Sequence, residues 1–113
     1  MTGAFLAHLH DLFGDAGAMT TRAMFGGHGV YLDGLIVGIV IGEALYLKTD
    51  PLTRARFEAA GSTPFVYTGQ AKPIETSYWS APEDALESAQ AMRPWVELAR
   101  AAALRKPVKR RRE

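Results

Sequence analysis

A glycine-rich segment is the most distinctive local pattern in the chain. Gly26-Gly27-His28-Gly29 could offer backbone N–H groups to a phosphate, but such loops work at the start of a helix, and a strand-like segment follows here. The chain contains no Gly-Lys-Ser/Thr motif and no dinucleotide-binding fingerprint. The segment therefore predicts a turn or bulge in which glycine adopts a positive φ, and it predicts no cofactor site.

Histidine, serine and cysteine offer little support for catalysis or metal binding. His8, His10 and His28 form neither a His-x-x-x-His pair nor a Glu-x-x-His set, and the chain has no cysteine, so we predict no metal site. No serine lies in a Gly-x-Ser-x-Gly elbow. One alternative remains: a small enzyme or ligand-binding domain would need Arg22 and His28, with Tyr31, to converge in a concave pocket. We otherwise expect no catalytic residue.

Basic residues are concentrated at the C-terminus, although the formal charge of the whole chain is only +1. A cluster of this kind neutralises phosphates without reading sequence, so it is a candidate nucleic-acid contact; a solubilising terminus is the alternative. We divide the chain into a domain over residues 1–104 and a basic, disordered tail over residues 105–113. The candidate contacts are Arg105, Lys106, Lys109, Arg110, Arg111 and Arg112.

The composition is typical of one globular domain. The chain has 113 residues, of which 48% are hydrophobic and 22% charged, and its mean hydropathy is −0.05. No run approaches the roughly 18 apolar residues that cross a bilayer, and the first residues lack the basic region of a signal peptide. We therefore expect a cytoplasmic protein that makes no contact with membranes.

Hydrophobic periodicity predicts three helices. The first is indicated by apolar residues at helical spacing between Phe5 and Phe13, and the second begins at Asp50-Pro51 and ends at Gly61. The third begins at the capping box Ser80-Ala81-Pro82-Glu83, and we expect it to kink or break near Arg93 because Pro94 interrupts it.

Six strands complete the predicted order α-ββββ-α-ββ-α. Asp33-Gly34 predicts a two-residue type I′ hairpin, and the short gaps between the first four strands require an antiparallel meander. The fold class is therefore α+β, an antiparallel sheet packed by helices. The predicted strands are Thr21–Phe25, Gly29–Leu32, Leu35–Ile41, Ala44–Lys48, Pro64–Thr68 and Ile74–Trp79.

The strand Leu35–Ile41 is apolar at every position except Gly38, which has consequences for both faces of the sheet. Alternation places Leu35, Val37, Ile39 and Ile41 on the core face, so the remaining positions point to the opposite face. Together with two tyrosines from neighbouring strands, that second face forms a candidate interface for a protein partner or a second copy. Cover by a terminal helix is the alternative. The candidate interface residues are Tyr31, Ile36, Val40 and Tyr46.

Several ordered motifs resemble the N-terminal domain of the TfoX/Sxy family, over about residues 5–104. The core of its signature, Arg-x-Met-Phe-Gly-Gly-x-Gly-x-Tyr, lies within Thr21 to Gly34, and later segments match at Leu45-Tyr46-Leu47-Lys48, at Pro64-Phe65-Val66-Tyr67 and at Ser77-Tyr78-Trp79 with Pro82. The residues that match the signature are Arg22, Met24, Phe25, Gly26, Gly27, Gly29 and Tyr31.

The resemblance implies an α+β fold of the secretion-chaperone-like kind and a role in regulating competence genes alongside the cyclic-AMP receptor protein. Full-length members add a C-terminal helical domain, where this sequence has only a basic tail. The family has no established catalytic residues. We therefore expect a bacterial, non-enzymatic regulatory or adaptor domain that binds an unknown protein or forms a homodimer, without a cofactor. A nucleic-acid-associated protein that uses the tail is the first alternative, and the ligand-binding domain or enzyme described above is the second.

Overall fold

The computed structural model describes residues 2–24, 26–67 and 73–105. It is an α+β fold with the predicted order of helices and strands, apart from a short 3₁₀ helix before the last helix. The elements are α1 Thr2–Phe13, β1 Met19–Met24, β2 Gly27–Leu32, β3 Leu35–Ile41, β4 Ala44–Lys48, α2 Arg54–Ala59, β5 Pro64–Tyr67, β6 Ile74–Ser80, the 3₁₀ helix Glu83–Glu87 and α3 Ala89–Leu104.

The strands form one antiparallel sheet in the order β1-β2-β3-β4-β6-β5. The hairpin between β2 and β3 turns at Asp33 and Gly34, whose φ values are +52° and +83°. Both central residues of a type I′ turn need positive φ, which Asp and Gly adopt at low cost, so the predicted hairpin is confirmed.

The helices cover one face of the sheet. α3 packs against β3 and β4, and α1 packs against α3. Phe57 of α2 is fully buried and meets Trp95 of α3 edge-on, with the ring centroids 5.0 Å apart. Within the described ranges, no helix has the length and apolar character needed to span a membrane. The core of this layer includes Leu9, Phe13, Val30, Leu32, Leu47, Met92 and Val96.

The last helix begins later than predicted. Ser88, not Ser80, is its N-cap, because the Ser88 hydroxyl accepts a hydrogen bond from the Ala91 N–H at 3.0 Å. The Ser80 hydroxyl accepts instead from the Thr63 N–H at the end of the sheet. The expected break near Arg93 was wrong as well: α3 continues through Pro94 to Leu104, since burial of its apolar stripe against the sheet offsets the loss of one hydrogen bond.

The start of α2 also differs. The carboxylate of Asp50 accepts hydrogen bonds from the Leu52 and Thr53 N–H groups, both at 3.1 Å, which holds Pro51 in a turn before the helix. The helix therefore begins at Arg54 rather than at Pro51. Its predicted end is close, because Gly61 follows with a φ of +87°.

Candidate functional site

A β-bulge in β3 decides which side chains reach each face of the sheet. Tyr31 pairs with Ile36 and Val30 pairs with Gly38, so Val37 is an additional residue on β3. Beyond a bulge the alternation is shifted by one position. Ile39 and Ile41 therefore belong to the face opposite the helices, whereas strict alternation had placed both in the core.

The bulge corrects the prediction for Val40. Its side chain is fully buried and pairs with Leu45 in the core, so the assignment of Val40 to the candidate interface was wrong. The sequence gives no signal for this shift, because apolar residues occupy both faces of β3 on either side of the bulge.

We call the face opposite α1 and α3 the outer face and define it by Tyr31, Ile36, Ile39, Tyr46 and Phe65. Tyr31 pairs with Ile36, and Ile39 pairs with Tyr46 on the neighbouring strand. The rings of Tyr46 and Phe65 are tilted against each other with their centroids 5.1 Å apart. All five side chains are half-buried. The outer face thus carries apolar and aromatic side chains from β2, β3, β4 and β5.

A lysine and a tyrosine lie beside this surface on β4 and β6. Lys48 pairs with Tyr78, and its Nζ lies 5.2 Å from the centre of the Tyr78 ring and donates to the Ser77 hydroxyl at 3.1 Å. Burial raises the pKa of Tyr78, and the charge that Tyr31 acquires on ionisation raises it further. The phenol of Tyr78 therefore stays protonated at neutral pH and acts as a neutral hydrogen-bonding group next to a cation.

The glycines of the signature shape the junction between β1 and β2. Gly26 has a φ of +76° and open space around its Cα. Gly27 is different, because a Cβ there would fall on the Val40 carbonyl oxygen and lie 2.8 Å from the Ile41 Cδ1. The predicted turn is present. The positive φ at Gly26 and the lack of space for a Cβ at Gly27 explain why glycine stands at both positions.

The structure does not bring Arg22 and His28 together. Arg22 pairs with Gly29, whereas His28 pairs with the next residue, Ala23, and successive side chains along a strand point to opposite faces. Arg22 is exposed on the side of the outer face, and His28 points toward the helical layer. Tyr31 lies on the same side as Arg22. The convergent pocket required by the ligand-binding alternative is therefore not formed by these side chains.

Metal ligands, surface hollows and buried polar atoms are the remaining features that could support chemistry. In the part of the chain that the structure describes, no three His, Asp or Glu side chains are placed to hold a metal ion. Open hollows of about 530 and 480 Å³ lie beside the start of α3 and beside Gly61, and neither is lined by Arg22 or His28. The Nδ1 atom of His28 is buried without a hydrogen-bond partner among the described groups.

Arg105, predicted as the first residue of the basic tail, is bound to the folded body. Its Nε and Nη2 atoms donate to the two carboxylate oxygens of Asp50 at 2.8 and 3.0 Å. These hydrogen bonds hold the pKa of Asp50 below its usual value, with a further contribution from the Thr53 N–H. The assignment of Arg105 to a free tail was wrong, because sequence spacing gave no indication of a partner 55 positions away.

Several predicted residues lie outside the described ranges. Phe25 of the signature is one, and the side chain of Met24 is also not described. The remaining candidate nucleic-acid contacts fall in residues 106–113, which lie outside the described part as well: Lys106, Lys109, Arg110, Arg111 and Arg112.

Comparison with known proteins agrees with the geometry. The model of the TfoX N-terminal domain family matches residues 11–103, which includes the sheet, α2 and nearly all of α3. No curated protein matches the chain in a sequence search. Because the matched region covers most of the 113 residues and contains the glycine junction and the outer face, the chain belongs to the TfoX N-terminal domain family.

Proposed function

We propose that this chain is a non-enzymatic regulatory adaptor domain of the competence-regulator type, and that it acts by binding a protein partner through the outer face. The observation that carries the proposal is the chemistry of that face. A sheet covered by helices on one side ordinarily presents polar residues on the other. Here the second side presents Tyr31, Ile36, Ile39, Tyr46 and Phe65, all half-buried.

The composition of the outer face suits a protein contact better than catalysis. Tyrosine and phenylalanine are enriched at the centres of protein interfaces, where they bury a large area at a low cost in side-chain entropy. Among the five residues that define the outer face, the polar side-chain groups are the hydroxyls of Tyr31 and Tyr46, which can bond to a partner's backbone. Thr20 and Ser80, which pair with these two tyrosines, add hydroxyl groups at the margin. Arg22, which is exposed on the same side, adds a positive charge toward the β1 end of the face. We therefore expect a partner with an apolar centre and an acidic or carbonyl-rich margin.

The test is a quantitative pull-down with the tagged full chain. Ile39→Asp places a charge in the middle of the outer face, and we expect it to abolish capture of the partner. Leu104→Asp is the matched control, because Leu104 is also a large hydrophobic residue, is 69% exposed and lies at the end of α3. Removal of residues 106–113 should leave capture unchanged. Far-UV circular dichroism checks that each variant is folded.

Two results would contradict the proposal. One is capture that is equally strong with Ile39→Asp and the wild type. The other is capture that disappears on removal of residues 106–113, because this would move the binding site to the tail. Tyr31→Ala provides a milder variant of the same face if Ile39→Asp does not fold.

Nucleic-acid binding through the tail is the second candidate. Five basic residues and one acid lie within residues 106–113, which favours contact with phosphates. The engagement of Arg105 by Asp50 reduces the number of basic side chains available for such contacts from six to five.

A further inference from the structure

The two edges of the sheet differ in how they are protected against the addition of another strand. β5 forms one edge, has four residues and begins with Pro64, and both features discourage pairing. β1 forms the other edge and has six residues, with no proline and one charged side chain, Arg22. It also pairs with β2 from Met19 to Met24 without a register shift, so it is regular along its whole length. β1 is therefore the edge at which a strand can be added.

The hydrogen-bonding direction of each β1 residue follows from one contact. The Asp33 N–H donates to the Ala18 carbonyl at 2.8 Å, so the backbone groups of Ala18 point toward β2. Along an antiparallel strand this direction alternates. The backbone groups of Thr20 and Arg22 consequently also point toward β2. At the open edge, N–H and C=O groups are presented by Met19, Thr21 and Ala23.

Nothing in the described part of the chain pairs with this edge. Outside the β1–β2 ladder, which uses the backbone groups of the alternate residues, residues 2–24, 26–67 and 73–105 form no backbone hydrogen bond to Met19, Thr21 or Ala23. The side chains of Thr20, Arg22 and Ala23 are exposed. A regular strand with an unpaired edge favours addition of an extended segment through backbone hydrogen bonds.

We propose that the occupant of this edge is β1 of a second copy, paired antiparallel about a two-fold axis at Thr21. This register places Thr21 opposite Thr21, Met19 opposite Ala23 and Thr20 opposite Arg22. In each copy, the backbone groups of all three residues at the open edge (Met19, Thr21 and Ala23) then bond to the other copy. This gives about six backbone hydrogen bonds.

The sequence of β1 is complementary to itself in this register. Threonine pairs are favourable across antiparallel strands, and like charges opposite each other are unfavourable. The positive charge of Arg22 lies opposite the neutral Thr20, so no like charges meet. The two-fold axis is perpendicular to the sheet, which places both helical layers on one side and leaves both outer faces free. The dimer therefore goes beyond the adaptor proposal and does not compete with it for surface.

The first experiment measures the mass of the full chain by light scattering and sedimentation over a concentration series. We expect a dimer for the wild type and a monomer for Thr21→Pro. Proline removes one outward N–H and is tolerated on an edge strand, because the Thr21 N–H does not bond to β2. Amide exchange gives an independent check, since the Thr21 and Ala23 amides should be protected in the wild type and should lose that protection on dilution.

A pair of variants at one position tests the register. Thr20→Glu places a carboxylate opposite Arg22 of the other copy, and Thr20→Arg places a like charge there. We expect the dissociation constant to fall about fivefold with Thr20→Glu and to rise by a similar factor with Thr20→Arg. These two variants keep the proposal testable even if Thr21→Pro fails to fold.

Three results would overturn the proposal. A wild-type monomer at about 100 μM would mean that β1 does not pair with itself under conditions where mass action favours association. A dimer that persists in a folded Thr21→Pro variant would place the interface elsewhere. A dissociation constant that responds equally to Thr20→Glu and Thr20→Arg would exclude the register centred on Thr21.

Discussion

Gly26 and Gly27 serve the junction between β1 and β2 in different ways. Gly26 is needed for its backbone conformation, because a side chain there would be strained at a φ of +76° even though the space around it is open. Gly27 is needed because no atom larger than hydrogen fits between its Cα and β3. The signature residues at these positions are therefore explained by the fold itself.

This difference leads to a prediction for two alanine variants. Gly26→Ala should destabilise the protein by about 1 kcal/mol, the cost of one residue in the left-handed region. Gly27→Ala should cost more, about 2–3 kcal/mol, because the new Cβ must displace the backbone of β3 at Val40. Urea unfolding followed by circular dichroism measures both. Equal losses, or a smaller loss for Gly27→Ala, would contradict the steric explanation.

The residue types were sufficient to predict the turn between β2 and β3 but not the bulge in β3. Asp33-Gly34 predicted its turn because few other residue pairs adopt two consecutive positive φ values. The bulge at Val37 was not predictable, since every neighbouring residue of β3 except Gly38 is apolar and strict alternation fits the same letters. Ile39 was therefore missed as an outer-face residue, and Val40 was assigned in its place.

The boundaries of the helices and strands were also predictable in some places and not in others. All six strands were predicted to within two residues at each end, because glycines and turn residues separate short apolar runs. The start of α3 was misplaced because Ser80 and Ser88 both precede helix-forming sequence, and only the structure shows that Ser80 serves the end of the sheet. Phe65 on β5 reaches the outer face because β4 pairs with β6, and β6 pairs with β5. The sequence did not predict the pairing of β4 with β6, because α2 and β5 separate these two strands in the chain.

The end of α3 is fixed to the turn before α2 by Arg105 and Asp50. Both nitrogen–oxygen contacts are short, and Asp50 is largely buried while it also accepts from the backbone of that turn. The ion pair thus joins the end of α3 to the turn before α2, two segments that are distant in sequence.

We expect Arg105→Gln to lower the urea midpoint at pH 7 and to lower it less at acidic pH. The pKa of Asp50 is below its ordinary value of 3.8 in the folded chain, mainly because Arg105 donates to it. Such a group stabilises the fold above the unfolded-state pKa, and the contribution is lost as the pH falls through the folded-state pKa. The gap between the variant and the wild type should therefore close below about pH 4.

Arg93→Gln is the matched control for this experiment. Arg93 also lies on α3 and pairs with Asp15, but that carboxylate is almost fully exposed, so the pair contributes little. A midpoint that falls equally in both variants, or a gap for Arg105→Gln that does not depend on pH, would contradict the role assigned to the Asp50 pair.

Charge is distributed unevenly over the molecule as a whole. Thirteen basic and twelve acidic residues nearly cancel, yet five of the basic ones lie in residues 106–113. The remainder of the chain is correspondingly acidic and offers no long-range attraction to a polyanion.

The nucleic-acid candidate therefore makes a prediction that concerns only the last eight residues. Removing residues 106–113 should abolish retention on heparin at low salt, and for the intact chain the logarithm of DNA affinity should fall with that of salt concentration with a slope of about −4. A second variant keeps the full length and replaces the five basic residues beyond Arg105 with glutamine. It separates the effect of charge on retention from the effect of length. Retention that survives in both variants would eliminate this candidate.

Anchoring of Arg105 at Asp50 sets a limit on what those eight residues can touch. A fully extended chain advances about 3.4 Å per residue, so residue 113 can lie at most about 27 Å from the anchored Arg105. That reach is shorter than the 41 Å length of the molecule. Any polyanion held by residues 106–113 must consequently approach the corner where β4 leads into α2, and a fluorescent label near that corner would detect its binding.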